Sequence, residues 1–119
     1  MEPFLEARRR TRAEARDILR TLLNSKLAKR AREGAEDAAY EVFSAIEGLE
    51  IIGFTSDNMS WFTEHGAVSA LEASLYEQLD GLFNDLNARY GMVIVRWLSD
   101  PSWAQVKEIA ARLVELDSA

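Results

Sequence analysis

The chain has 119 residues, of which 48% are hydrophobic, and a formal net charge of −6 at pH 7. Its length is that of one domain, and three Trp, three Tyr and five Phe exclude a disordered chain. The absence of Cys excludes disulfides and thiolate metal sites, and no apolar run approaches the ~18 residues of a membrane span. We therefore expect one cytoplasmic domain over residues 1–119, without membrane association.

The charge is divided unevenly along the chain. Residues 1–33 hold ten Lys and Arg against five Asp and Glu, whereas residues 34–119 hold four against fifteen. A chain divided in this way is typical of an interaction arm or of a self-complementary assembly.

Residues 3–32 are predicted to form one basic helix, or two helices that meet near Asn24. Pro3 suits the first helical position, because its missing N–H needs no partner there. The segment is polar nearly all round through Arg16 and amphipathic after it. We therefore expect its first half to project in part from the core.

Three further helices are predicted from apolar residues at three- and four-residue spacing. They lie between Gly34 and Gly48, between Ser69 and Gly91, and after a cap at Asp100. Ser69 begins a capping box, and the glycines mark helix ends.

Two short apolar segments, 49–54 and 92–97, are candidate strands. The second is rich in β-branched residues, whereas the first also fits a buried connection. Two strands do not form a stable sheet alone, so helices would have to cover them. The sequence predicts a mainly α fold, a compact bundle of about four helices with at most this minor two-stranded sheet. An all-helical bundle with extended connectors is the alternative.

A row of arginines at four-residue spacing marks one face of the first helix. Guanidinium groups bind carboxylates or phosphates, so an acidic protein, the acidic body of another copy and nucleic acid are alternative partners. A solvated face neutralised by nearby acids is the non-functional interpretation. Nucleic acid is disfavoured because no stacking aromatics lie among the arginines and the rest of the chain is acidic. The arginine face consists of Arg8, Arg12, Arg16 and Arg20.

The irregular segment 55–66 is predicted to be a loop rich in large apolar side chains. Its composition is typical of a protein-binding hot spot, although such side chains also fold back into a core. Its candidate partner-binding residues are Met59, Trp61 and Phe62.

An acidic surface on the second helix is a further candidate. Its carboxylates resemble a phosphate track in charge, or they simply solubilise the helix. These residues are Glu36, Asp37 and Glu41.

His65 is the only histidine of the chain. No nucleophile-elbow sequence accompanies it, and no acids at suitable spacing converge on it. We predict no catalytic residue, no metal site and no cofactor, and hence a protein that is not an enzyme.

These features predict a non-enzymatic protein-interaction module, an adaptor or assembly protein that docks on another protein through the arginine face and the aromatic loop. A homodimer is one form of such docking. The first alternative is a small acidic inhibitor that blocks a nucleic-acid-handling complex, of the phage- or plasmid-type anti-defence class. The second is nucleic-acid binding through the Arg-rich helix.

Overall fold

The computed structural model describes the backbone of residues 2–118 and the side chains of residues 10–116. This part of the chain forms seven helices and no strand. The helices are α1 (Glu2–Leu23), α2 (Ser25–Arg32), α3 (Glu36–Ile51), α4 (Ser56–Glu64), α5 (Ala70–Tyr90), α6 (Ile94–Ser99) and α7 (Ser102–Ser118).

The mainly α class is confirmed, but the predictions of about four helices and of a minor sheet are wrong. Residues 49–51 complete α3, and a turn follows in which the Phe54 N–H donates to the Leu49 carbonyl over 2.9 Å. Most of 92–97 belongs to α6. Its buried Ile94 and Trp97 are three residues apart, and this helical spacing outweighs the preference of β-branched residues for strands.

The basic segment 3–32 forms two helices that meet at Asn24, which confirms the second of the two alternatives predicted for it. The Asn24 side chain accepts a hydrogen bond from the Leu27 N–H over 3.1 Å and caps α2. Its ψ of 102° takes the backbone out of the helical region, so α1 ends there.

The core lies where α1 packs against α3 and α7, and where α5 packs against α4 and α7. Gly48, predicted to end a helix, lies inside α3 instead. A Cβ at Gly48 would lie only 3.0 Å from Ile18 Cδ1, so the glycine permits the close approach of α1. The largest fully buried side chains are Leu19, Leu22, Val42, Met59, Leu75, Leu79, Leu86, Trp97 and Val106.

Asp100 joins the end of α5 to the start of α7, and the predicted cap is confirmed. Its Oδ1 accepts the Ser102 N–H over 2.8 Å, while Oδ2 accepts the Tyr90 hydroxyl over 2.6 Å and Arg89 Nη1 over 2.8 Å. The hydrogen bond from Tyr90, followed by that from the Ser102 backbone, lowers the pKa of Asp100 to about 2. The same contact with Asp100 raises the pKa of Tyr90.

The helices α3 and α5 have no extensive contact with each other, and α6 contacts both. This arrangement leaves space between them on the side of α3 away from α1. No helix of the described chain has the length and apolar character needed to cross a membrane.

Candidate functional site

Arg12, on the predicted arginine face, ties α1 to the start of α5. Its Nε and Nη2 donate to the two oxygens of Glu72 over 3.0 and 2.8 Å. Glu72 is only 5% exposed, and it also accepts the Ser69 N–H as part of the predicted capping box. Because a buried carboxylate requires a partner, the guanidinium of Arg12 serves the fold.

The other members of the arginine face differ in their surroundings. Arg20 lies on the surface, where its Nη1 pairs with Asp17 over 3.1 Å. Arg16 is half-buried, and the side chain of Arg8 lies outside the described residues. Arg12 and Arg20 thus meet carboxylates of their own chain.

The predicted aromatic loop is wrong as a structure, because residues 56–64 form α4. The helix begins where Asp80, from α5, accepts hydrogen bonds from the Ser56 N–H and hydroxyl over 3.0 and 2.8 Å. Met59 is fully buried in the core, as the alternative interpretation expects. It therefore offers no surface for a partner in this conformation.

The two aromatic residues of α4 lie nearer the surface. Phe62 is half-buried and contacts Phe54, with ring centroids 5.2 Å apart. Trp61 is 45% exposed and stacks on His65 with ring centroids 4.2 Å apart. The nitrogen Nδ1 of His65 lies 2.8 Å from the Trp61 carbonyl oxygen, which holds the imidazole against the helix end.

The predicted acidic surface lies in the first half of α3, and all three of its residues are exposed. Asp37 accepts a hydrogen bond from Arg30 Nη2 over 2.7 Å, which lowers the pKa of Asp37. Glu36 and Asp37 lie in the first turn of α3, where a negative charge interacts favourably with the helix dipole and stabilises the helix.

An open cleft of about 420 Å³ lies between α3 and α5. Its floor is formed by apolar core side chains, chiefly from α3, α5 and α6, each of which is at most 8% exposed. Four carboxylates line it, two from α3 and one each from α4 and α5, and no Lys or Arg is found among its described lining residues. The floor consists chiefly of Ile46, Leu49, Phe54, Leu79, Phe83 and Trp97, and the carboxylates are Glu47, Glu50, Asp57 and Asp80.

The floor of this cleft is held by contacts on several sides. The ring of Phe83 lies 6.0 Å from that of Trp97, and Trp97 Nε1 donates to the Gly91 carbonyl over 2.7 Å. Phe54 meets Tyr76 edge to face at 4.7 Å. A floor fixed in this way is a preformed surface, which costs little conformational entropy when it binds.

One edge of the cleft continues into further exposed apolar surface. Met92 lines the cleft and is 42% exposed, and Val93 and Val95 follow it on the surface. Exposed apolar residues that adjoin a groove are typical of interaction sites. We call the cleft with its carboxylates the acidic cleft.

Helical spacing places the polar residues of the cleft at the borders of apolar stripes. Glu47 and Glu50 are three residues apart on α3, and Asp80, Asn84 and Asn87 follow at spacings of four and three on α5. This spacing is visible in the sequence, but the facing of α3 and α5 is not.

The described residues contain no group of three His, Cys, Asp or Glu side chains placed to hold a metal ion. Four carboxylates around an apolar floor produce a negative potential that attracts cations. A cation with an apolar portion matches both properties of the acidic cleft.

Comparisons of the chain with protein-family models, with curated proteins and with solved structures gave no significant match.

Proposed function

We propose that this chain is a non-enzymatic protein-interaction module that receives a basic amphipathic helix in the acidic cleft. The observation that carries the proposal is the set of carboxylates on both walls of the cleft beside the exposed apolar side chain of Met92. Neither Glu47 nor Glu50 forms an ion pair within the described chain. Their charges are therefore available to a partner.

The two parts of the cleft have different roles in this proposal. Apolar side chains of the partner cover Met92, which is 42% exposed at the edge of the cleft, and add roughly 25 cal/mol per Å² of apolar surface buried. Lys or Arg side chains beside them meet Glu47 and Glu50, which sets the orientation and speeds association. The arginine face supports docking less well, since Arg12 is already engaged by Glu72.

A synthetic amphipathic helix of Leu and Lys, carrying a fluorophore, tests the proposal. Its dissociation constant is measured by fluorescence anisotropy at low and moderate salt. We expect Glu47→Lys/Glu50→Lys to weaken binding by about 10- to 100-fold, because like charges then face each other. A Leu–Glu helix of the same pattern should not bind.

Glu36→Lys/Glu41→Lys is the matched control, since it makes the same change in net charge on the same helix outside the cleft. We expect it to weaken binding less than about threefold, through the screened long-range field alone. Equal weakening by the two variants, or no weakening by either, would overturn the proposal.

Inhibition of a nucleic-acid-handling enzyme is the second candidate function, and the exposure of the α3 carboxylates favours it. Glu36, Glu47 and Glu50 lie on one side of α3 over about 21 Å of helix. Such a row suits a basic groove that normally holds a phosphate backbone. Capture of a nuclease or polymerase that is lost with Glu36→Lys and also with Glu47→Lys/Glu50→Lys, but kept with Arg20→Ala, would favour this function.

A further inference from the structure

We infer that the basic helix received by the acidic cleft is residues 2–10 of a second copy of this chain. The inference rests on the proposed function and names its partner. It joins the basic first turns of α1 to the acidic cleft, two regions that the continuous helix α1 keeps apart within one chain.

The sequence of residues 2–10 has the chemistry that the cleft requires. Phe4 and Leu5 supply apolar side chains, and the three arginines at positions 8–10 outnumber the acids Glu2 and Glu6, so the segment has a net charge of +1. The backbone there is helical, so positions 4 and 8, and likewise 5 and 9, are one turn apart. An apolar pair beside three guanidinium groups complements the exposed Met92 beside four carboxylates.

The geometry of α1 excludes binding of this segment to the cleft of its own chain. Ile18 lies against Gly48, at the level of Glu47 and Glu50 on α3. Residue 10 lies about 12 Å further along the same helix and residue 2 about 24 Å further, at 1.5 Å per residue. Because α1 is continuous from Glu2 to Leu23, residues 2–10 cannot turn back to that level.

Exchange between two copies satisfies both surfaces at once. Each copy inserts its first turns into the cleft of the other, which gives a closed dimer with twofold symmetry and two equivalent contacts. Both contacts depend on opposite charges, so the dimer weakens as salt screens them.

A charge swap tests this arrangement, with the molar mass measured by sedimentation over a concentration series of the full-length chain. We expect a dimer at low salt for the unaltered chain. Arg9→Glu/Arg10→Glu and Glu47→Lys/Glu50→Lys should each weaken the dimer by about 100-fold or more, since each sets like charges against each other. An equimolar mixture of the two variants should restore the dimer, because every segment again meets a cleft of opposite charge.

Two matched controls isolate the position of the charges. Lys26→Glu/Lys29→Glu changes the net charge as the segment variant does, and Glu36→Lys/Glu41→Lys changes it as the cleft variant does. We expect both to dimerise within about threefold of the unaltered chain, because neither lies at the contact. Rescue in the mixture also rules out misfolding as the cause of monomeric variants.

The outcomes separate this inference from the proposed function. A chain that stays monomeric at low salt while the Leu–Lys helix still binds overturns the inference and leaves the function standing. A dimer that ignores salt and both charge variants overturns it too. Failure of the Leu–Lys helix to bind overturns the proposed function itself.

Discussion

The arginine face of α1 and the acidic cleft are oppositely charged regions that differ in how far the fold neutralises them. Arg12 and Arg20 meet Glu72 and Asp17 within the chain, whereas the cleft has four carboxylates and no described cation along its lining. A cluster of charge in a sequence therefore does not by itself mark a binding surface. Charges that the fold leaves uncompensated mark it better.

The largest effect on stability should come from removing the ion pair between Arg12 and Glu72. Because Arg12→Ala leaves buried Glu72 without its guanidinium, we expect a loss of about 1–3 kcal/mol of unfolding free energy. The value is set below that of a fully buried pair because Arg12 is 36% exposed. Urea denaturation measures it.

Arg20→Ala is the matched control on the same helix. Its partner Asp17 is well exposed, so the loss should stay below about 0.5 kcal/mol. Equal losses of unfolding free energy for the two variants would contradict the prediction that Arg12 stabilises the fold more than Arg20 does.

A smaller effect, present above about pH 4 and lost in acid, should come from Asp100, whose two carboxylate oxygens both accept hydrogen bonds. Its pKa of about 2 in the folded chain lies below the ordinary value of 3.8. Its contribution to stability is thus complete above about pH 4 and is lost as the pH falls through about 2. The advantage of the unaltered chain over Asp100→Asn, measured by urea denaturation, should shrink over this range.

Asp37→Asn provides the comparison for this pH series. Arg30 lowers the pKa of Asp37, but this pair is on the surface and is screened by solvent. We expect a weaker pH dependence of its difference from the unaltered chain. A difference for Asp100→Asn that stays constant from about pH 5 to 2 would contradict the assignment.

The smallest effect on stability should come from the carboxylates of the acidic cleft, and their removal should raise the free energy of unfolding rather than lower it. Glu47 and Glu50 are like charges three residues apart, so Glu47→Gln/Glu50→Gln should stabilise the fold by about 0.2–0.5 kcal/mol. The same variant should bind the Leu–Lys helix more weakly. Thermal unfolding measures the change in stability, and fluorescence anisotropy measures the change in binding. Lower stability with unchanged binding would contradict the view that these carboxylates are left without a partner by the fold.

Features set by neighbours in the chain were predictable. The capping box of Ser69, the cap at Asp100 and the break near Asn24 each depend on residues two to four positions apart. The period of apolar residues likewise predicted α3, α5 and α7. Local sequence was sufficient because the hydrogen bonds involved are local.

Features set by distant residues were not predictable. Ser56, the first residue of helix α4, donates hydrogen bonds to Asp80, which lies 24 residues further along the sequence. Arg12 meets Glu72 across 60 residues, so the arginine row did not reveal which members were engaged. The acidic cleft depends on which helices fail to pack together, a property that no single segment encodes.

Asp80 has two roles, since it lines the acidic cleft and also accepts the hydrogen bonds that start α4. A cation that draws its carboxylate into the cleft competes with Ser56 for the same oxygen. A cation that took Oδ2 from Ser56 would therefore link occupancy of the cleft to local opening of α4, each shifting the other by the same free energy. Trp61 lies on that helix and stacks on His65 just past its end, so opening of α4 would also move this exposed aromatic pair.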